Sequence, residues 1–230
     1  MLWIIAAAVF AWLAFREVRA ARVPRRGYAQ PRPVFKPYLI ACMALSAGFA
    51  WQPLKYWRFE RLLSAKATQL ADGRPARVHC NSVADTLFDS EQFAAGHANI
   101  ETGQIVFQHG WCATLMDYVN KPASASPEDF FALHMFTHES MHVRGETNEA
   151  RTECQAIQRD TRAAMLLGVP EALARKQALD FYFNSYMGRS GDGWMSAQYF
   201  SDQCAPGKAM DEQLSDSTWL PLYSAADEQF

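Results

Sequence analysis

The chain has 230 residues, half of them hydrophobic, and a formal net charge of −2. That length suffices for one domain with a real core plus an additional segment. No basic stripe runs through its C-terminal three quarters, which excludes nucleic acid as a partner.

Two apolar runs open the sequence, MLWIIAAAVFAWLAF over 1–15 and YLIACMALSAGFAWQPL over 38–54. Each falls at or below the lower end of the roughly 17 to 25 residues that span a bilayer. No charge precedes the first, so it reads as an uncleaved anchor rather than a signal peptide. Two buried helices are the alternative, but the basic connection over 16–37, with Arg16, Arg19, Arg22, Arg25, Arg26, Arg32 and Lys36 against Glu17, favours a pair of transmembrane helices with that loop in the cytoplasm. This predicts a membrane anchor over 1–58, a lipid bilayer as partner, a cell-membrane location, and an extracytoplasmic catalytic domain over 59–230.

Cysteine usage agrees with that orientation. Cys42 lies in the second apolar run, leaving Cys80, Cys112, Cys154 and Cys204. An even set outside the cytoplasm predicts two disulfides. Of the three connectivities, pairing in chain order is preferred, and no CxxC pair supports cysteine ligation of zinc.

Tyr56 to Leu70 reads as a helix broken by ADGRP over 71–75. ARVHC and QIVFQH are candidate short strands, joined by a stretch containing Gly96, Asn99 and Gly103. KPASASP over 121–127 ends in a helix start: Ser126 as N-cap, Pro127 at the first helical position and Asp129 three after the cap. That helix runs to about Arg144 and stops at Gly145. Thr147 or Asn148 caps a second helix through Leu167, and a third runs from Pro170 to about Met187. The glycine-rich tail over 188–211 wraps back, tied by Cys204. The fold class is α+β and mainly α.

The stretch HMFTHESMHVRGETNEARTECQA carries the chemistry. His138, Glu139 and His142 form HExxH, whose histidines sit one turn apart on one helix face and can bind a single Zn²⁺. Glu139 then lies beside the open metal position, placed to take a proton from the attacking water. His134 is one turn earlier, but eight residues separate it from His142, about 12 Å along the axis. It is read as a pocket wall or a satisfied core histidine. The third ligand belongs on the second helix, packed antiparallel. Glu146 sits in the turn and is expected to face solvent. Glu149 and Glu153 share one face, and their spacing suits one ligand and one acid buttressing a histidine; geometry leaves the choice open. Tyr186 and Tyr199 are weaker candidates for a donor opposite the base. His79, His97 and His109 are read as surface or core residues. No GxSxG, P-loop or dinucleotide motif is present.

These residues resemble the gluzincins, HExxH zinc metallopeptidases whose third ligand is a glutamate on the following helix. NEARTE, Asn148 to Glu153, is similar to the thermolysin-type NExxSD element, which implies Glu149 as ligand. ECQA, Glu153 to Ala156, is similar to the ExxA element of membrane-anchored gluzincins, which implies Glu153. Glu153 is preferred, because Glu149 falls in the first helical turn. HESMHVRG also resembles the start of the metzincin motif, but the third histidine of that family would fall at Asn148. The arrangement is similar to that of uncharacterised bacterial membrane-anchored proteins with this short spacing. The resemblance implies a zincin-like helical hairpin and a membrane-anchored peptidase acting on extracytoplasmic proteins or peptides. An inactive metal-binding scaffold, or a membrane protein with a chance HExxH, are the alternatives.

Overall fold

The computed structural model describes residues 2–22, 32–189 and 198–227. Arg25 and Arg26 of the basic connection, and 190–197 of the tail, lie outside the described residues. The chain divides into two compact units, Met1–Phe59 and Glu60–Phe230.

In the first unit, α1 (Leu2–Arg22) packs on the first part of α2 (Lys36–Leu70). Phe10 stacks on Phe49 with ring centroids 5.5 Å apart, and the Ser46 hydroxyl donates to the Ala7 carbonyl. Glu17 accepts from the Phe35 amide and the Arg32 guanidinium, so the one acid of the basic connection closes the link between the helices.

No helix among the described residues is long and apolar enough to cross a membrane. This overturns the two transmembrane helices and the cell-membrane location derived from the apolar runs. Arg16, Glu17 and Arg19 end the first run within its own helix. Gln52, Pro53 and Lys55 cut the second, and α2 continues through Arg58, Glu60 and Arg61. Each apolar run shares its helix with these charges, so neither helix offers an uninterrupted apolar span.

The second unit is mainly helical with one small sheet. Strands β1 (Arg77–Cys80), β2 (Gly96–Asn99) and β3 (Gln104–Phe107) lie in the order β1-β3-β2, with β1 parallel and β2 antiparallel to β3. Ile105 and Phe107 are fully buried. The expected strands are β1 and β3; β2 formed in what was read only as a joining stretch, and a short capped helix, α3 (Val83–Phe88), precedes it.

Around the sheet run α4 (Trp111–Asn120), α5 (Pro127–Arg144), α6 (Glu149–Leu166) and α7 (Glu171–Phe181), which continues as a π turn over Tyr182–Tyr186. The Ser126 capping box forms as expected: its hydroxyl accepts from the Asp129 amide, and the Asp129 carboxylate accepts from the Ser126 amide. Helix α5 is central, touching α4, α6, α7, β2 and β3, and it is buried almost all round. A helix enclosed on every side has no solvent face on which to leave its histidines, so they must find partners inside.

Both disulfides pair in chain order, Cys80–Cys112 and Cys154–Cys204. The second straps the tail to α6. Gln158 bonds Met210 and Glu212, the buried Arg159 guanidinium donates to Glu212, Thr161 meets Thr218, and Trp219 is fully buried. A final helix, α8 (Leu220–Asp227), follows.

Gly103 closes the β2–β3 turn at φ +70°, and a Cβ there would sit 2.2 Å from the Pro75 carbonyl oxygen. Gly73 has φ +89° and open space around it. Gly103→Ala should therefore cost about 2–3 kcal/mol or more in urea unfolding, against roughly 1 kcal/mol for Gly73→Ala. Equal losses would show that conformation rather than the close approach controls the turn.

Candidate metal centre

Two stripes of titratable residues face each other where α5 packs on α6. His134, His138 and His142 recur every four residues on α5; Glu149, Glu153 and Asp160 share a face of α6. The helices run antiparallel, so the rows pair in reverse order, His142 with Glu149, His138 between Glu149 and Glu153, His134 between Glu153 and Asp160.

The register is set at the turn. Gly145 stops α5 at φ +122°, with its amide bonding the Met141 and His142 carbonyls. Asn148 caps α6 by accepting from the Arg151 amide. Glu146 does not face solvent as expected. Its carboxylate accepts from the Thr147 and Asn148 amides and pairs with Arg151, which holds the turn closed.

At the end of the stripe near the turn, three atoms converge. His142 Nε2 lies 3.1 Å from His138 Nε2, and Glu149 Oε2 lies 3.2 Å from His138 Nε2 and 3.3 Å from His142 Nε2. The other nitrogens are engaged: His142 Nδ1 is 2.8 Å from the Glu146 carbonyl oxygen, and His138 Nδ1 is 3.0 Å from Glu153 Oε2. A carbonyl and a carboxylate only accept, so both Nδ1 atoms carry hydrogen. In neutral rings the two Nε2 atoms then point lone pairs at each other and at a carboxylate oxygen. A cation among them resolves that opposition, and ligands about 2.0–2.1 Å from a tetrahedral zinc stand about 3.3 Å apart.

Deeper in, Glu153 Oε2 lies 3.0 Å from both His138 Nδ1 and His134 Nε2, and His134 Nδ1 lies 2.9 Å from Asp160 Oδ2. By proximity alone, His134, His138 and Glu153, or His138, His142 and Glu149, could each hold a metal ion. They differ in access. His134 is fully buried and Glu153 nearly so, whereas the Glu149 side chain is 27 % exposed.

Glu139, next along the helix from His138, is buried, and its Oε2 has no hydrogen-bond partner among the described residues. Burial lifts its carboxyl above the ordinary range, against the pull of His138 and His142. The other candidates separate. Tyr186 is a core residue whose phenol bonds the Ser201 backbone. The Tyr199 ring stands 6.0 Å from that of His138, and burial, followed by the charges of Glu149, Glu139 and Glu153, raises its pKa. His79 pairs with Glu60 away from the stripe, while His97 on β2 is near enough for its charge to act on Glu139.

The sequence reading missed two residues. Asp160 had a signal, an acid seven residues beyond Glu153 on the same helix face. The Glu146 carbonyl had none, because any residue type supplies one. Compared with family models, curated proteins and solved structures, the chain matches none. The reading of the site therefore rests on its geometry.

The stripe predicts how the metal-free chain responds to pH. Burial disfavours charge on His138 and His134, but hydrogen bonds and charges of Glu149, Glu153 and Asp160 outweigh it, holding them up at about 10 and about 9. Hydrogen bonds from His138 and His142 pull Glu149 down to about 2. Raised histidines contribute stability fully below their unfolded value of 6.5 and lose it as pH climbs through 9 to 10. The lowered carboxylate contributes above 4.5 and loses it as pH falls toward 2. Chemical unfolding in chelator at a series of pH values should show greatest stability between about 4.5 and 6.5. A maximum above pH 8 would be incompatible with these ion pairs.

Proposed function

We propose that the protein is a zinc-dependent metallopeptidase of gluzincin type that hydrolyses peptide bonds of proteins or peptides, and that its two disulfides suit it to an oxidising compartment. The observation that carries this reading is the triangle of lone-pair atoms, 3.1, 3.2 and 3.3 Å on its sides, beside a buried carboxyl oxygen without a partner. His138, His142 and Glu149 are the proposed ligands. Glu153 is the supporting acid on His138 Nδ1, and the Glu146 carbonyl plays that part for His142. The preference for Glu153 as ligand gives way here, since the first turn of α6 does carry the Glu149 carboxylate to both Nε2 atoms.

Bound there, zinc would supply Lewis-acid polarisation of a water and of the scissile carbonyl. Glu139 takes the proton of the attacking water on Oε2 as its oxygen adds to the carbonyl carbon. It returns that proton to the nitrogen as the C–N bond breaks. Burial raises its proton affinity, which strengthens it as the acceptor of the water proton. Tyr199 is placed beside His138 to donate to the carbonyl oxygen as charge develops on it. A metal-binding scaffold without turnover would have no use for the unpartnered carboxyl oxygen of Glu139.

The purified protein should contain about one zinc per chain. Glu139→Gln should keep the metal and lose roughly 10²–10⁴-fold in turnover of a fluorogenic peptide library. Glu149→Gln should lose zinc affinity itself. Turnover equal to the parent in Glu139→Gln would refute the mechanism, and zinc well below one per chain would remove the metal centre. Tyr199→Phe should lower kcat about 10–10²-fold with zinc content unchanged; an unaltered kcat would leave Tyr199 as packing.

A further inference from the structure

His134 and Asp160 are buried ionisable residues that the proposed reaction does not use. His134 is completely enclosed, with the Phe181 ring 4.4 Å from its own and Phe131 further out at 6.3 Å. Both of its nitrogens face carboxylate oxygens, Nδ1 that of Asp160 at 2.9 Å and Nε2 that of Glu153 at 3.0 Å. A neutral imidazole has one N–H, so the two contacts are both satisfied when a second proton sits either on the ring or on the Asp160 carboxyl, which burial pushes up. The same Glu153 oxygen also accepts from His138 Nδ1 at 3.0 Å. The contacts therefore form an unbroken line, Asp160–His134–Glu153–His138, that ends at the nitrogen opposite the proposed metal position.

Resting on the ligand set proposed above, we propose that His134 is a positioning residue of the metal centre. Hydrogen-bonded between Asp160 and Glu153, it holds the Glu153 carboxylate against His138 Nδ1 and so fixes the direction of the metal-facing nitrogen. His134 does not itself bind the metal. Its Nε2 is committed to Glu153, and its surroundings are closed to solvent and substrate.

A double-mutant cycle on the full chain tests this, with zinc affinity measured against a chromophoric chelator and cobalt(II) absorption reporting coordination geometry. His134→Gln should weaken zinc ten- to hundredfold and change the cobalt(II) spectrum. In a Glu153→Gln background the same change should add less than about threefold, because its route to the metal is already cut. Zinc affinity within twofold of the parent in His134→Gln overturns the inference, as does an equal loss in both backgrounds, which would indicate general damage to the core. If His134→Gln does not fold, Asp160→Asn carries the test from the far end of the line. Unchanged zinc affinity and spectrum there also overturn it. A parent chain that binds no zinc refutes the proposed metal centre instead. Complete loss of zinc in His134→Gln with full retention in Glu149→Gln overturns both by making the buried group the ligand set.

Discussion

The second unit depends on one meeting of side chains, the histidine stripe of α5 against the acid stripe of α6. Three histidines and three acids inside a helix–helix contact would be prohibitive if they were separately buried. They are tolerable because antiparallel packing interleaves them, so that Glu149 and Glu153 each serve two histidines while Asp160 closes the row. The consequence is collective. Removing one member leaves the next without its counterpart, and a one-residue slip between the helices would turn the whole row out of register.

Everything that fixes the register therefore acts on the site. Gly145, the Asn148 cap and the folded-back Glu146 carboxylate set the start of α6 to the residue. On the opposite face of that helix, Cys154 follows Glu153 directly and ties the tail down through Cys204, with Gln158 and Arg159 continuing the attachment. The strap also brings Tyr199 beside His138. The tail, which looks like a loose appendage when read as composition, secures α6 and sets Tyr199 against the histidine row.

What was legible in the sequence was local. The HExxH face, the Ser126 capping box, the stop at Gly145 and the cap at Asn148 follow from spacings within a turn or two, whereas the disulfide pairing was a preference among three connectivities that the fold bears out. The strand Gly96–Asn99 has no apolar alternation, and only its pairing with β3 makes it a strand. Spacing alone fixes poorly the reach of Glu149 in the first turn of its helix; the Asn148 cap is what defines that turn. The membrane reading failed for a related reason: Arg16, Glu17 and Arg19 belong to the same helix as the apolar run before them. A segment has to be weighed over the element it forms, not over the stretch that catches the eye.

The stripe is also graded from dry to wet, and this gives its members different work. His134 is fully buried, His138 is 2 % exposed, His142 9 %, and the Glu149 side chain 27 %. At the dry end His134 lies fully buried between the carboxylates of Glu153 and Asp160. At the wet end the Nδ1 atoms are turned to Glu153 and to a backbone carbonyl, which leaves both Nε2 atoms facing the partly exposed Glu149 carboxylate. One repeating pattern of histidine and acid thus yields an enclosed cluster at one end and, at the other, a partly exposed group that could hold a metal ion. Depth selects between them, and sequence spacing alone carries no measure of depth.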